Sequence, residues 1–249
     1  YASGASYIIY MPTDSFRFKQ FRVRHDSCAM KVGTDGVLLG AWGSVEGRRI
    51  LDIGTGTGLI ALMAAQRNPD AAVVGIDVSE AAIRQARQNV AESPFSHRVS
   101  CLLEDVLTFR PGTPFDSILC NPPFFTEDTL PGNEARALAR NNSSLPFSRL
   151  IPKVAALLSE GGRFSVIVPH SHAQEIVGLC LADGMRLLRR CEVRTVAYKP
   201  PRRTLLTFAE RHSGLSPDSL PPEIGTSLCL TAADGSRSAE YRALTDAFY

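Results

Sequence analysis

The sequence predicts an α/β fold in which helices cover both faces of a doubly wound, mostly parallel sheet. Short apolar runs rich in β-branched residues alternate with helical patterns through most of the chain. Glycine-rich or polar turns come after these runs, and acidic or amide side chains stand at several of their ends. We count seven strands in this pattern, preceded by a short N-terminal extension.

Length and composition are those of a globular protein. The chain has 249 residues, of which 44% are hydrophobic and 21% charged. Its apolar runs are shorter than the roughly 18 residues that a membrane span needs, and the first residues lack the pattern of a signal peptide. The six cysteines lie far apart and form no C-x-x-C pair, so we expect no metal site. We therefore expect a protein of the reducing cytoplasm without membrane contact.

The charge distribution is more informative than the total. A net charge of +2 does not by itself indicate a nucleic-acid-binding protein. Basic residues concentrate, however, in residues 16–31 and again in residues 185–212. Such stretches are typical of a surface that contacts phosphates. They are equally typical of two solvated faces, and charge alone does not decide between these interpretations.

We expect three segments along the chain. Residues 1–10 look unrelated to the rest of the sequence, and we interpret them as a tail outside the fold. Residues 11–48 are interpreted as an N-terminal extension, and residues 49–249 as the main domain.

The N-terminal extension predicts a short strand or hairpin followed by a helix. Apolar and basic residues mostly alternate in residues 16–24, which is the period of a strand with one basic face. A helical pattern comes next, and Thr34 or Asp35 is placed to cap its start. Lys31 precedes them closely, so polar side chains crowd the entrance of this helix.

A glycine-rich turn connects the first strand of the main domain to a helix. Strand residues 49–53 lead into Gly54, Gly56 and Gly58, and a helical pattern continues to about residue 67. Glycines let a backbone approach a ligand closely, and the start of a helix offers unpaired N–H groups. The G-x-G-x-G spacing differs from the dinucleotide fingerprint G-x-G-x-x-G, so this turn by itself is a weak indication of function.

The next two strands both end near an acid. Asp77 ends the strand at residues 72–77 and lies where a carboxylate can hold the two hydroxyls of a ribose. Asp105 comes after the strand at residues 99–103, and it either accepts a hydrogen bond from an adenine amino group or is a solvated loop residue. Ser79 is placed to cap the helix between these strands.

The fourth strand, residues 115–120, runs into a stiff turn. Two successive prolines stop the strand, and Asn121 before them is held extended. The turn offers the Asn121 amide, the Pro122 carbonyl and the ring of Phe124, with Phe125 behind it. Acceptors beside a ring suit a planar group that bears an amino function. Considered by itself, this stretch is more simply a proline-rich turn that caps a strand.

The remainder of the chain continues the alternating pattern. Residues 126–144 are polar and predict a loop or lid that contains Arg140. Residues 198–203 form a stiff basic turn with two prolines. The other predicted elements are helices at 147–158, 173–182 and 239–248, strands at 163–169, 185–193 and 203–208, and a weaker strand candidate at 227–230.

The polar features are expected to meet at one edge of the sheet. In doubly wound sheets, ligands bind beyond the carboxyl ends of the strands, near the point where strand order reverses. The glycine turn, Asp77, Asp105 and Asn121 all lie at strand ends of this kind. We therefore expect them to line a single crevice.

This combination of motifs resembles class I methyltransferases that use S-adenosylmethionine. The glycine motif of residues 52–58 with Asp77 is typical of that class. The Asn-Pro-Pro-Phe turn is shared by enzymes that methylate adenine N6, guanine N2 or glutamine N5, although Phe124 stands where many adenine enzymes carry tyrosine. Over about residues 14–249 the chain is similar to the bacterial family that methylates N6 of adenine 37 in a valine tRNA. The segments that carry this resemblance are 16–21, 30–36, 38–42, 139–140, 201–203 with 205–206, and 241–245.

The resemblance implies a Rossmann-like fold and roles for particular residues. Asn121 and Pro122 are expected to accept the two N–H groups of the target amine, and Phe124 to stack on its ring. Cofactor binding is assigned to Lys31, Thr34, Asp52, Gly54, Gly56, Gly58, Asp77, Val78, Asp105, Val106 and Asn121. Substrate binding is assigned to Phe124, Phe125, Arg140, Lys199, Arg202 and Arg203.

The resemblance also implies S-adenosylmethionine as cofactor, tRNA as partner, no metal, and a monomer or weak dimer. Two other activities stay open: a protein glutamine N5-methyltransferase, and methylation of another planar amino group in RNA. The basic stretches favour RNA only moderately. The glycine spacing disfavours a nicotinamide oxidoreductase, and the intact Asn121 disfavours a non-catalytic binding module.

Overall fold

The computed structural model describes residues 15–25, 33–122, 145–210 and 223–249. Within these ranges the chain forms a sheet of eight strands, a separate two-stranded hairpin and six α-helices. The strands are β1 (Ser15–Arg17), β2 (Arg22–Arg24), β3 (Arg49–Ile53), β4 (Ala72–Asp77), β5 (Val99–Leu103), β6 (Phe115–Cys120), β7 (Leu158–Pro169), β8 (Met185–Val196), β9 (Arg203–Glu210) and β10 (Glu223–Thr231). The helices are α1 (Thr34–Trp42), α2 (Leu59–Arg67), α3 (Glu80–Ala91), α4 (Phe147–Leu157), α5 (Ala173–Ala182) and α6 (Ala239–Thr245).

The eight strands lie in the order β10-β8-β9-β7-β6-β3-β4-β5. Neighbouring strands are parallel except at β9, which is antiparallel to both β7 and β8. The chain runs outward from β3 through β4 to β5 and then returns to β6 on the other side of β3. Strand order therefore reverses between β3 and β6, where sheets of this kind bind ligands. The prediction of a doubly wound, mostly parallel sheet is confirmed.

The predicted count of seven strands is wrong by one. β10 adds an eighth strand, which pairs in parallel with β8 at positions such as Thr226 and Cys191. The sequence shows only a short apolar run at 227–230, and Gly225 has a left-handed φ of 94° that interrupts the strand pattern. Pairing with the edge of β8, and not local propensity, extends this strand to its full length.

Helices cover both faces of the sheet, and each face has its own core. On the first face α1, α2, α3 and α6 pack around residues such as Leu62, which is fully buried. On the second face α4 and α5 pack around residues such as Ile151, together with Phe109 from the connection between β5 and β6. Successive strand residues alternate between these cores, as Ile118 and Leu119 do in β6.

The N-terminal extension folds onto the first face. β1 and β2 form the predicted hairpin, and Phe18 and Phe21 between them are 2% and 5% exposed. The expected capping of α1 by Thr34 or Asp35 is wrong. Gly33, with extended backbone angles, is the N-cap residue, so Thr34 and Asp35 already lie inside the helix. The Asp35 side chain does not cap the helix and instead accepts a hydrogen bond from Arg203.

The boundary between α4 and β7 also differs from the prediction. Helix α4 ends at Leu157, and β7 begins directly at Leu158 and not at the predicted residue 163, so Gly161 and Gly162 lie in the strand. Gly161 has a left-handed φ of 74° where the pairing of β7 with β6 shifts register. Across the described ranges, none of the helices has the length and apolar character needed to cross a membrane.

Candidate active site

The register of β3 and β6 brings the glycine turn next to Asn121. Ile53 pairs with Cys120 at the carboxyl ends of these strands, and the next residues are Gly54 and Asn121. On the other side of β3, strand β4 ends one residue beyond its pairing with Ile53, at Asp77. Three of the predicted site residues therefore lie side by side where strand order reverses.

The glycine turn requires glycine for its backbone angles. Gly54, Gly56 and Gly58 have left-handed φ values of 71°, 54° and 82°. A Cβ added to Gly54 meets nothing within 4 Å, so conformation and not space selects glycine there. Gly58 is the N-cap residue of α2 and has no side chain with which to cap it, while the N–H of Ala61 in the first turn is taken by Asp52. The N–H groups that precede Ala61 at the start of α2 have no intrahelical acceptor and are thus available to a ligand.

Asp52 lies at the base of the turn, and its side chain is fully buried. Its Oδ2 accepts hydrogen bonds from the Thr55 hydroxyl at 2.7 Å and from the Ala61 N–H at 3.1 Å. Burial raises the pKa of this carboxyl to about 7. The two hydrogen bonds lower the pKa but do not outweigh burial, and the charge of Asp77 raises it further. Oδ1 has no hydrogen-bond partner within the described residues. Because this oxygen is enclosed by protein, its burial favours the neutral carboxyl over the carboxylate.

Asp77 is half-buried and braces the turn from the neighbouring strand. Its Oδ2 accepts the N–H of Gly56 at 3.0 Å, and its Oδ1 accepts the N–H of Ser79 at 2.9 Å. Each oxygen has a second lone pair, so the carboxylate can still accept ribose hydroxyls. Val78 beside it is 71% exposed, which offers an apolar surface to a base. Ser79 also caps α3 as predicted, by accepting the N–H of Ala82 at 3.3 Å.

Asp105 and Val106 begin the connection after β5. Asp105 is exposed, and its Oδ1 accepts the N–H of Leu107 at 2.9 Å, which stabilises the local turn. Val106 is 5% exposed and packs in the second core. The structure thus gives Asp105 a role in its own loop, and its contact with an adenine amino group stays a prediction.

Asn121 and Pro122 end the described part of β6 and its turn. Asn121 is half-buried and Pro122 is buried, so the side-chain amide stands at the boundary between the core and the crevice. β6 is held by β3 on one side and β7 on the other, which fixes the position of this strand end. Four other residues with predicted roles lie outside the described ranges, and their roles stay predictions: Lys31, Phe124, Phe125 and Arg140.

The N-terminus of α1 reaches the same edge of the sheet. β9 is antiparallel to β7, so its first residue, Arg203, lies opposite Pro169 at the carboxyl end of β7. Arg203 Nε donates to Asp35 Oδ2 at 2.8 Å, and Thr34 beside it is exposed. The sequence assigns Arg203 to substrate binding, and the structure places it in an ion pair that anchors α1. The partners are 168 positions apart in the chain, which explains why sequence patterns do not reveal the pair.

The turn between β8 and β9 presents the predicted basic residues at this edge. Lys199 and Arg202 are exposed, while hydrogen bonds from Arg194 to the Lys199 carbonyl and from the Arg202 N–H to the Val193 carbonyl brace the turn. Tyr198 is 84% exposed beside Lys199. Sequence reasoning missed this tyrosine, although an aromatic residue within a proline-containing basic turn is itself a signal for base stacking.

Comparison with known proteins defines the class. The family model of the methyltransferase small domain matches residues 32–182. The fold matches a protein of Agrobacterium tumefaciens described as a predicted O-methyltransferase, with a TM-score of 0.66, 21% identity, and coverage of 86% of this chain and 96% of that one. It also matches the glycopeptide N-methyltransferase MtfA solved with S-adenosylmethionine, with a TM-score of 0.53, 11% identity, and coverage of 72% and 89%. The protein is a class I methyltransferase with S-adenosylmethionine as methyl donor. The left-handed glycines and the spare lone pairs of Asp77 fit this cofactor.

Its relatives define the family. The chain is 42% identical over 241 residues to the tRNA1(Val) (adenine(37)-N6)-methyltransferase of Bacteroides thetaiotaomicron, an alignment that covers 96% of this chain and 98% of that protein. It is 37% identical over 235 residues to the enzyme of the same name from Pseudoalteromonas translucida, with coverage of 94% and 97%. The chain belongs to the tRNA1(Val) (adenine(37)-N6)-methyltransferase family, and the resemblance derived from its motifs is confirmed.

Proposed function

We propose that this protein transfers a methyl group to N6 of adenine 37 in tRNA1(Val), the reaction that the names of its relatives state for those enzymes. The observation that supports this most strongly is the register of β3 and β6, which sets Asn121 beside Gly54. An amide oxygen and a proline carbonyl thus stand next to the turn that receives the cofactor. This is the arrangement that a planar amine requires as methyl acceptor.

The chemical difficulty lies in the acceptor. The exocyclic nitrogen of adenine delocalises its lone pair into the ring and is a poor nucleophile. S-adenosylmethionine, when bound, supplies a methyl group that its sulfonium makes electrophilic. Asn121 Oδ1 accepts one N–H of the amine and the Pro122 carbonyl accepts the other, which turns the nitrogen lone pair out of the ring plane. Positive charge develops on this nitrogen, so both acceptors bind the transition state more strongly than the substrate.

The turn is rigid before the substrate arrives. Pro122 has a fixed φ and is buried, and Asn121 directly follows a strand with partners on both sides. Holding the amine in one orientation can lower the barrier by about 7 kcal/mol or more. Stacking of the base on Phe124 is part of this proposal and stays a prediction.

The same edge supports a tRNA substrate. Lys199 and Arg202 are exposed and can contact phosphates, and Tyr198 can stack on an unpaired base. An adenine in an anticodon loop can leave its stack and enter such a pocket. The proposal includes a cytoplasmic location, because that is where the tRNA is modified, and a monomer or weak dimer as the acting species.

The decisive experiment offers the enzyme unmodified tRNA1(Val), the same tRNA with guanine in place of adenine 37, and a protein with a methyl-accepting glutamine. Labelled S-adenosylmethionine and mass spectrometry of the digests locate the methyl group. We expect N6-methyladenosine at position 37 of the first tRNA only. Methylation of the glutamine without methylation of tRNA overturns the proposal. Methylation of a different amino group in the tRNA overturns the assignment of N6 of adenine 37 as the target.

A further inference from the structure

A groove of about 650 Å³ lies on the second face of the sheet, between α4 and the connection from β5 to β6. Phe109, Pro111, Pro114 and Pro152 give it rigid, largely apolar walls. α4 starts at the carboxyl edge of the sheet and runs toward the amino edge. Arg149, in the first turn of α4, lies at the end of the groove nearer the candidate active site, whereas Pro114 and Leu157 directly precede β6 and β7 at the amino edge.

Three cations line this groove: Arg110, Arg149 and Lys153. Lys153 Nζ donates to the Phe109 carbonyl at 2.5 Å, and the guanidinium of Arg110 donates to the same carbonyl at 3.1 Å. Two of the cations thus share one backbone carbonyl as hydrogen-bond acceptor. Lys153 lies one turn of α4 after Arg149, which puts both on the same face of the helix. Among the described residues, none of the three forms an ion pair with a carboxylate.

This arrangement is unfavourable in the free protein. Like charges four residues apart on a helix repel each other, and the helix dipole opposes a cation such as Arg149 in the first turn. The first turn of α4 has no acidic residue, and no side chain caps it. The pKa of Lys153 lies below its ordinary value, first because of partial burial and then because of Arg110. An anion bound in the groove relieves each of these costs.

We propose that this groove binds the ribose-phosphate backbone of the tRNA next to the target adenine, with Arg110, Arg149 and Lys153 contacting its phosphates. This inference rests on the proposed function. The basic turn of residues 198–202 follows β8, and the groove lies on the second face next to β6, the strand that leads to Asn121. A tRNA that contacts both surfaces extends from β8 to β6, the strand at whose carboxyl end Asn121 lies. The proline and phenylalanine walls suit riboses and bases between the phosphates better than they suit a small, fully hydrated anion.

The test compares a neutralised variant, Arg149→Gln with Lys153→Gln, with the wild type. We expect tRNA affinity to fall by about tenfold or more, and the slope of log K against log salt to decrease by about 1.4, since each contact to a single strand contributes about 0.7. The KM for tRNA rises, while kcat at saturating tRNA and the affinity for S-adenosylmethionine stay within about twofold. The charge-preserving variant Arg149→Lys with Lys153→Arg binds tRNA within about threefold of the wild type.

The matched control is Arg84→Gln with Arg242→Gln, which removes two exposed cations from helices of the first face. We expect it to bind tRNA like the wild type. Arg110→Gln changes an exposed side chain outside any helix, and it gives a second measurement if the double variant does not fold.

The outcomes separate the two proposals. A wild type that methylates tRNA, combined with neutralised variants of unchanged affinity and salt slope, overturns the phosphate groove and leaves the proposed function intact. An equal loss in the control or in the charge-preserving variant also overturns the groove, because the loss then comes from total charge or from packing. A wild type that neither binds nor methylates tRNA overturns the proposed function and this inference with it.

Discussion

Arg203 Nε lies 2.8 Å from Asp35 Oδ2, and this ion pair joins the first residue of β9 to the first turn of α1. The side chains are 35% and 31% exposed, so solvent screens the pair only in part. The contact fixes the start of α1 against the carboxyl edge of the sheet. Thr34, which is predicted to bind the cofactor, is held by the same turn of helix.

The pair is expected to act as a unit. Asp35→Asn and Arg203→Gln should each lower the free energy of unfolding and weaken cofactor binding, and the double variant should be little worse than either single one. We expect a coupling energy of about 0.5–1 kcal/mol, the upper part of the range for partly exposed pairs. Urea denaturation and cofactor titration of the four proteins measure it. The exposed pair Glu80–Arg84 serves as control and should couple more weakly. Additive effects of Asp35 and Arg203 contradict the prediction.

Asn121→Ala is expected to lower turnover by about 10² to 10³, because it removes one acceptor that acts on the developing positive charge. Cofactor affinity should stay within about threefold, since the amide is assigned mainly to the amine. Asn121→Gln keeps the amide but moves it by one methylene, and it should also lose most activity if orientation matters. Single-turnover assays with tRNA and cofactor titrations separate these effects. Turnover within a few fold of the wild type in the alanine variant rules out this role.

Asp52 should make stability depend on pH. Its pKa is raised from 3.8 to about 7 by burial, so the native state holds a proton that the unfolded chain releases. Protonated Asp52 contributes its full stabilisation of the native state below about pH 4, and this contribution is lost as pH rises to about pH 7. The loss in the free energy of unfolding is on the order of 4 kcal/mol at most. Asp52→Asn should remove this part of the profile. Chemical denaturation without cofactor measures both proteins, and parallel pH profiles contradict the prediction.

Tyr198→Ala should weaken tRNA binding by about 1–3 kcal/mol if the exposed ring stacks on a base. Tyr198→Phe keeps the ring and is the matched control, for which we expect affinity near that of the wild type. Charge reversal at Arg202 should also weaken binding and lower its salt dependence, whereas the same change at Arg203 should act mainly through α1. Binding measured over a range of salt concentrations distinguishes these cases. Equal affinity of the alanine and phenylalanine variants excludes stacking.

Local signals were sufficient for the elements that build the crevice. The predicted bounds of β3, β4, β5, β6 and α2 agree with the structure, because each is a compact apolar run bounded by glycine, proline, polar or charged residues. The expected convergence of the glycine turn, Asp77 and Asn121 follows from parallel strands that end at one edge. Strand pairing confirms it for these residues.

Other features have no local signal. β10 extends beyond its apolar run because β8 offers it an edge, and β7 begins directly after α4 because its glycines adapt to a shift in register with β6. The cap of α1 is Gly33, since backbone geometry and not a polar side chain starts this helix. The groove beside α4 brings together Arg110 and Lys153, which are far apart in the chain.

The sequence by itself determined the α/β class, the glycine turn and the acceptor turn of this methyltransferase, because all three depend on residues that are adjacent in the chain. Only the tertiary structure decided which residues face one another across strands and helices. It paired Arg203 with Asp35, left Oδ1 of Asp52 buried without a partner among the described residues, and collected three cations in one groove. These contacts arise from packing between distant segments, and no local pattern encodes their distances.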